Sequence, residues 1–232
     1  MTRSRAQRII LLAAALLAWW LGDRFVNPWA QLVLGLEQIH DPDVRVVLGH
    51  WFAWQLPGTL VCLAVWFLGW RLALLPSLSA SLGSGGGSWR RVAVSGAAPT
   101  TVLLLIVVAV GAAAGGSFGL HPYVPKMIGD LASNLYEEIV YRGLLFCAFY
   151  GVAAATTFPL NGKVNKLGVI VAILGSSVVF AAGHTQYSLA LRVGVGIAGI
   201  IFAWPWIRAR SLWSPWLVHT LTDVIGDSIV KL

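Results

Sequence analysis

Charged side chains are scarce in this sequence. Only 11% of its 232 residues are charged, whereas soluble domains carry about 25%. Hydrophobic residues make up 58% of the chain, and its mean hydropathy is +0.78. This composition excludes an ordinary soluble domain and predicts an integral membrane protein.

Cysteine is nearly absent as well. The only two cysteines, Cys62 and Cys147, fall within apolar stretches. We interpret both as small buried hydrophobic side chains rather than as a disulfide or a metal-binding pair. Cysteine usage therefore gives no information about the compartment.

A signal-peptide cleavage site is also missing. The segment Met1–Arg8 places arginines before an apolar run, as secretory signals do. The small residues of a cleavage site do not follow, because Trp19, Trp20, Asp23 and Arg24 stand there instead. We therefore expect the first helix to be retained.

Apolar runs that are long enough to cross a membrane, which takes about 17–25 residues, dominate the chain. They lie near Ile9–Phe25, Trp51–Trp70, Ala97–Ala114, Met127–Tyr150, Leu167–Gly183, Leu191–Trp206 and Leu212–Val230. The predicted fold class is all-α, a polytopic membrane bundle of about seven to eight transmembrane helices. We expect a single membrane domain over residues 1–232, in which residues 1–91 form N-terminal helices and a loop.

Two connecting segments have a loop-like composition. Residues 83–88 read Gly-Ser-Gly-Gly-Gly-Ser, which predicts a flexible loop. The segment Asn27–Arg45, with His40 and Asp41, and the nearby His50 offer histidines and carboxylates, but their irregular spacing predicts a solvated loop rather than a metal site.

The net charge of +7 is spread along the chain, which argues against a nucleic-acid partner. With the N-terminus in the cytoplasm, ten basic residues fall inside and five outside, as the positive-inside bias requires. The inside set is Arg3, Arg5, Arg8, Arg71, Arg90, Arg91, Lys163, Lys166, Arg208 and Arg210, and the outside set is Arg24, Arg45, Lys126, Arg192 and Lys231. We expect an inner (plasma) membrane protein of a bacterium with a cytoplasmic N-terminus.

Ionisable residues interrupt the fourth apolar run. Glu137, Glu138 and Arg142 lie inside it, and at that depth each costs about 2.5–3.5 kcal/mol, which marks a functional site. Glu138 and Arg142 are i,i+4 neighbours that can pair, whereas Glu137 points about 100° away and is left to face a cavity as a general base or acid. The structural alternative is a buried ion pair with a protonated spare glutamate.

Histidines interrupt two later runs. His184 shares a helix face with Phe180, and it suits water binding, a carboxylate contact or a metal. His219 and Asp223 are i,i+4 neighbours that suit metal binding or hydrogen bonding to an oxyanion. The structural alternatives are an interfacial histidine and an interhelical polar clasp worth about 0.6 kcal/mol. Asp227, one turn later, is expected to be solvated.

These three groups resemble the motifs of the CAAX-protease and bacteriocin-processing (CPBP, Abi) family of intramembrane proteases, to which the Ras-converting CAAX endopeptidase belongs. The motifs are Glu137-Glu138-x-x-x-Arg142, Phe180-x-x-x-His184 and His219-x-x-x-Asp223. The resemblance covers residues 127–232, which we identify as a CPBP-like catalytic core.

The resemblance implies an endopeptidase that cleaves a membrane-associated protein or peptide. Glu137 and His184 would activate a water molecule, while His219 and Asp223 would stabilise the oxyanion or position the substrate. The implied supporting residues are Glu138, Arg142, Tyr141 and Phe180. A divalent metal such as zinc, held by His184, His219 and Glu137, and a metal-free glutamate mechanism both stay open.

One departure from the family pattern concerns Asp223, because the third motif commonly ends in Asn. An ionised aspartate cannot donate a hydrogen bond to an oxyanion, so Asp223 would have to be protonated or orient His219 instead. A second concerns the number of spans, because we find seven where eight are usual in the prenyl-processing members. Depth is a separate difficulty, because His184 and His219 fall near opposite ends of their runs. We expect the fifth helix to extend through about Leu189 and so bring them level.

Two other functions are compatible with the same residues. A non-enzymatic immunity or scaffold membrane protein would keep the architecture without its chemistry. A proton-coupled transporter would use the glutamates as a relay, but the sequence lacks the internal repeats that mark many transporters.

Overall fold

The computed structural model describes residues 4–82, 89–113 and 115–231. In that part of the chain seven long helical stretches follow one another. They are α1 (Arg5–Val33), α2 (Pro42–Arg71), α3 (Trp89–Ala113), α4 (residues 124–154), α5 (Lys166–Gly183), α6 (Leu189–Ala209) and α7 (Trp213–Ile229). The flexible loop predicted at residues 83–88 lies outside the described residues.

Three of these helices contain a π-helical turn. In α1 the turn Gly22–Val26 joins α-helices Arg5–Leu21 and Asn27–Val33, and in α2 the turn Gly49–Ala53 lies between Pro42–Leu48 and Leu56–Arg71. In α4 the turn Ile139–Leu145 joins Val124–Glu138 to Phe146–Ala154. The smaller elements are a 3₁₀ turn at Leu36–Gln38, a short helix at Leu78–Ser81, and the antiparallel strands β1 (Ser117–Phe118) and β2 (Val230–Lys231).

Five helices, α1, α2, α3, α5 and α6, are long and apolar enough to cross a membrane. The remaining two, α4 and α7, carry the polar residues that interrupt the apolar runs. All seven predicted runs are therefore helical, and the all-α membrane bundle is confirmed.

Two local predictions were wrong. The segment Asn27–Arg45 is mostly helical, since α1 continues to Val33 and α2 begins at Pro42, where the Asp41 side chain accepts hydrogen bonds from two backbone N–H groups. His50 is not in a solvated loop, because its Nδ1 lies 3.1 Å from Ser133 Oγ on α4.

The fifth helix does not extend through Leu189 either. It ends at Gly183, and α6 starts afresh after Ser188, whose hydroxyl caps the new helix by accepting from the N–H of Leu191. The five-residue break between α5 and α6 brings His184 to the end of a helix rather than to its side.

A cluster of fully buried aromatic rings fills the bundle on one side of the polar residues. Phe158 is at its centre, with ring centroids 5.2 Å from Phe146, 5.1 Å from Tyr150 and 5.5 Å from Trp206. Trp66 completes this aromatic cluster and packs directly on Gly143, where any side chain would overlap its indole.

Candidate active site

The Glu-Glu-x-x-x-Arg motif lies where α4 changes from α-helix to π-helix. The α-helix ends at Glu138, and the π turn begins at Ile139, a helix irregularity that is frequent at functional sites. Arg142 Nε lies 3.3 Å from Glu138 Oε2, so the expected i,i+4 ion pair forms. Both side chains are almost completely buried, which makes each charge dependent on the other.

The guanidinium of Arg142 has further partners on two other helices. Its Nη2 donates to the carbonyl oxygen of Gly199 on α6 over 3.2 Å. Its Cζ atom lies 4.7 Å from the ring centroid of Phe180 and 5.4 Å from that of Phe202. Arg142 therefore joins α4, α5 and α6 at the level of the motif.

Glu137 points into the bundle, away from the surrounding lipid. Gln55 of α2 donates a hydrogen bond from Nε2 to Glu137 Oε1. The other carboxylate oxygen lies 3.7 Å from His219 Nε2. The side chain is 12% exposed, whereas that of Glu138 is not exposed at all.

His219 connects α7 to both glutamates. Its Nδ1 donates to Glu138 Oε1 over 2.9 Å, and its Nε2 lies 3.5 Å from Asp223 Oδ2. Its ring stacks on Phe202, with centroids 4.3 Å apart and planes inclined by 26°. The orientation of this imidazole is therefore fixed from both sides and on one face.

Asp223 accepts a hydrogen bond from an amide that sequence reasoning missed. Asn134 Nδ2 on α4 donates to Asp223 Oδ2 over 2.9 Å. Asn134 is buried and precedes Glu137 by three residues, so both side chains lie on one helix face. The sequence signal for Asn134 was an amide three residues before Glu137 inside an apolar run. No sequence signal indicated the contribution of Gln55.

His184 contacts Phe180, as His219 does. The Phe180 ring centroid is 4.6 Å from that of His184 and 5.8 Å from that of His219, so both imidazoles contact one phenyl ring. His184 Nδ1 lies 2.8 Å from the carbonyl oxygen of Phe180. Because a carbonyl oxygen only accepts, Nδ1 carries the hydrogen, and Nε2 is the ring nitrogen that is free to accept.

Aromatic residues surround His184. Tyr187 stacks nearly parallel to it, with ring centroids 5.9 Å apart. Burial raises the pKa of the Tyr187 hydroxyl, and the carboxylate of Asp223 raises it further. Tyr141 packs edge-on against Phe180 and accepts a hydrogen bond from Trp19 Nε1 of α1 over 3.0 Å.

The residues do not assemble a metal site. Within residues 4–82, 89–113 and 115–231, no three His, Cys, Asp or Glu side chains converge in a way that could hold a metal ion. The predicted ligands His184, His219 and Glu137 are thus not placed as such a set.

Comparison with known proteins places most of this site in one family. The family model described as type II CAAX prenyl endopeptidase Rce1-like matches residues 98–225, more than half of the chain. The matched region includes every site residue described above except Trp19 and Gln55. No curated protein and no solved structure matches the chain.

Proposed function

The chain belongs to the Rce1-like family of type II CAAX prenyl endopeptidases, and from that premise we propose that it hydrolyses a peptide bond of a membrane-associated protein or peptide inside its own helical bundle. One observation carries the proposal. A carboxylate of α4, an imidazole of α7 and an amide of α2 meet at Glu137, within a bundle whose outer surface is apolar.

Glu137 is the proposed general base. As it removes a proton from water, the water oxygen bonds to the carbonyl carbon of the substrate, and the carbonyl π electrons move onto the carbonyl oxygen. The intermediate then expels the amine, which leaves with the proton that Glu137 holds. His184 orients the water. Its Nδ1 donates to the carbonyl oxygen of Phe180, so its Nε2 can accept a hydrogen bond from the water.

The negatively charged carbonyl oxygen needs hydrogen-bond donors. An ionised Asp223 cannot supply one, but it holds Asn134, whose amide nitrogen has two hydrogens and uses one in this contact. We assign the second N–H of Asn134 to the oxyanion, together with His219. A donor of this kind contributes about 100- to 1000-fold to kcat.

Glu138 and Arg142 support the site without touching the substrate. The buried Glu138 carboxylate fixes the orientation of His219 through the 2.9 Å bond to Nδ1, and Arg142 compensates its charge. The proposed location is a bacterial plasma membrane with a cytoplasmic N-terminus, since ten of the basic residues fall on that side.

The test is a proteomic comparison of membranes that contain the wild type, Glu137→Gln or His184→Ala. Truncated membrane peptides should accumulate only with the wild type. Thr222→Val is the matched control, because it removes a buried hydroxyl of α7 that bonds only its own helix, to Val218. Equal cleavage by both site variants and the wild type would refute the proposal.

A further inference from the structure

Carboxylate, amide and ammonium side chains continue from the site toward one end of the bundle. Along α4 they are Asn134, Asp130 and Lys126, and along α7 they are Asp223 and Asp227. Lys126 pairs with Asp130 over 3.0 Å and also with Asp227, so the two helices are joined by charge where the path ends. We call these five residues the polar path.

Exposure increases along the α7 side of this path, whereas Asn134 and Asp130 on α4 are buried. The side chain of Glu137 is 12% exposed, that of Asp223 is 34% exposed and that of Asp227 is 55% exposed. The exposed carboxylates of α7 therefore mark the side from which water and an extended peptide would approach Glu137.

The opposite direction is closed. Beyond Glu138, α4 continues with Leu144, Leu145 and Phe146, none of which is exposed, and then enters the aromatic cluster around Phe158. Interiors packed in this way leave no room for a water column or a peptide. The site accordingly opens toward one end of the bundle.

Hydrogen bonds between helices and the connecting segments show which of them share that end. Tyr123 donates to Asp43, the N–H of Gly119 donates to the carbonyl oxygen of Ile229, and Arg24 donates to Thr185. Together with Lys126 and Asp227, these contacts define the open end.

A separate set of loops shares the closed end. Thr157 donates to the carbonyl oxygen of Ala73, and Arg210 donates to that of Pro159. The N–H of Leu212 donates to the carbonyl oxygen of Ser81. The loops after α2, α4 and α6 are therefore on the side of the aromatic cluster.

The two ends differ sharply in charge. In the sequence, residues 72–88, 155–165 and 210–212 contain no Asp or Glu. Basic residues at or next to this closed end are Arg5, Arg8, Arg71, Arg90, Lys163, Lys166, Arg208 and Arg210, whereas the open end carries the acidic residues Asp23, Glu37, Asp41, Asp43, Asp130 and Asp227 beside the basic residues Arg24, Arg45, Lys126, Arg192 and Lys231. The positive-inside rule places the basic end in the cytoplasm.

We propose that the active site opens to the non-cytoplasmic face of the membrane and that its substrates are peptide segments displayed on that face, such as exported proteins and the outer ends of membrane proteins. This inference rests on the proposed function for its substrates, but its statement about orientation stands on the polar path, the aromatic cluster and the charge asymmetry alone.

The orientation is tested by adding one cysteine at a time to the chain. Each variant is treated with a membrane-impermeant sulfonated maleimide in right-side-out and in inside-out vesicles. Leu120→Cys and Lys163→Cys report on the open and closed ends, because both positions are exposed in loops. Asp223→Cys reports on the site. The wild type gives the background, since Cys62 and Cys147 are buried.

Leu120→Cys and Asp223→Cys should react in right-side-out vesicles, and Lys163→Cys should react in inside-out vesicles. Asp227→Cys, at the exposed end of the polar path, is a second reporter in case Asp223→Cys does not fold, and it should behave like Leu120→Cys. The inference would be overturned if Asp223→Cys or Asp227→Cys reacted in inside-out vesicles, or if neither of them reacted in right-side-out vesicles. Labelling of Leu120→Cys in inside-out vesicles would also overturn it.

The substrate side is tested with the Glu137→Gln comparison. New termini that depend on Glu137 should map to non-cytoplasmic segments. Termini that depend on Glu137 but map to cytoplasmic segments would refute the inference and leave the proposed function intact. If no terminus depended on Glu137, the proposed function and the substrate class would both fail, while the labelling would still decide the orientation.

Discussion

Replacing Asn134 tests whether its amide serves the reaction or only joins two helices. Asn134→Leu keeps a similar side-chain volume but removes both N–H groups, one of which donates to Asp223 over 2.9 Å. If the second N–H stabilises the oxyanion, kcat should fall about 100- to 1000-fold, or about 2.7–4 kcal/mol. KM should change little, because this contact is made in the transition state.

The structural cost of the same change is expected to be smaller. Asp223 loses a partner, and an unpaired buried acceptor costs about 1–3 kcal/mol. Its side chain is 34% exposed, so water can replace the amide in part. Melting temperature and steady-state kinetics on the peptide found by proteomics separate the two effects, with Thr222→Val as the control.

Exchanging the side chains of Asn134 and Asp223 distinguishes two roles of Asn134. Its amide either donates to the oxyanion or only holds the Asp223 carboxylate in place. Asn134→Asp alone places two carboxylates face to face and should be inactive. Adding Asp223→Asn restores one amide opposite one carboxylate. We expect the kcat of this double variant to be about tenfold or more above that of Asn134→Asp alone. If Asn134 served only to hold the Asp223 carboxylate against His219, the exchanged protein would stay inactive, and Asp223→Asn alone would be as damaging as Asn134→Asp.

Three further predictions concern stability and metal dependence. Arg142→Leu leaves the fully buried Glu138 carboxylate uncompensated and should lower the free energy of unfolding by about 3–5 kcal/mol in thermal or denaturant unfolding in detergent. Gly143→Ala overlaps Trp66 and should cost about 1–3 kcal/mol, whereas Gly194→Ala, which meets open space on α6, should be neutral within about 1 kcal/mol in the same assay. Treatment with a chelator such as EDTA should leave cleavage unchanged, because no three described side chains form a metal-binding group; loss of activity that is restored by zinc would contradict this.

The sequence was informative wherever a pattern is local. Seven apolar runs predicted seven helices, because crossing the hydrocarbon requires that length and composition. The pair Glu138–Arg142 followed from i,i+4 spacing. Local patterns also located Asp223 one turn after His219, on the same face of α7.

Other parts of the site depend on contacts between distant segments. Gln55 meets Glu137 across 82 positions of the chain, and Asn134 meets Asp223 across 89. No local pattern specifies which buried amide reaches which carboxylate, since that depends on how the helices pack. The break after His184 was missed for a related reason, because apolar composition continues on both sides of the residues that end α5 and start α6.

The distribution of partners distinguishes the two adjacent glutamates. Glu138 is fully buried and faces Arg142 on one oxygen and His219 on the other. Both of its oxygens are therefore occupied, and a substrate cannot reach them. Glu137 accepts a hydrogen bond from the neutral amide of Gln55, has His219 Nε2 3.7 Å away, and is 12% exposed at the inner end of the polar path. A carboxylate that is fully buried and paired with a guanidinium holds a structure together, whereas one that is partly exposed and faces no guanidinium can exchange a proton. This difference supports Glu137 as the base and Glu138 as the residue that orients His219.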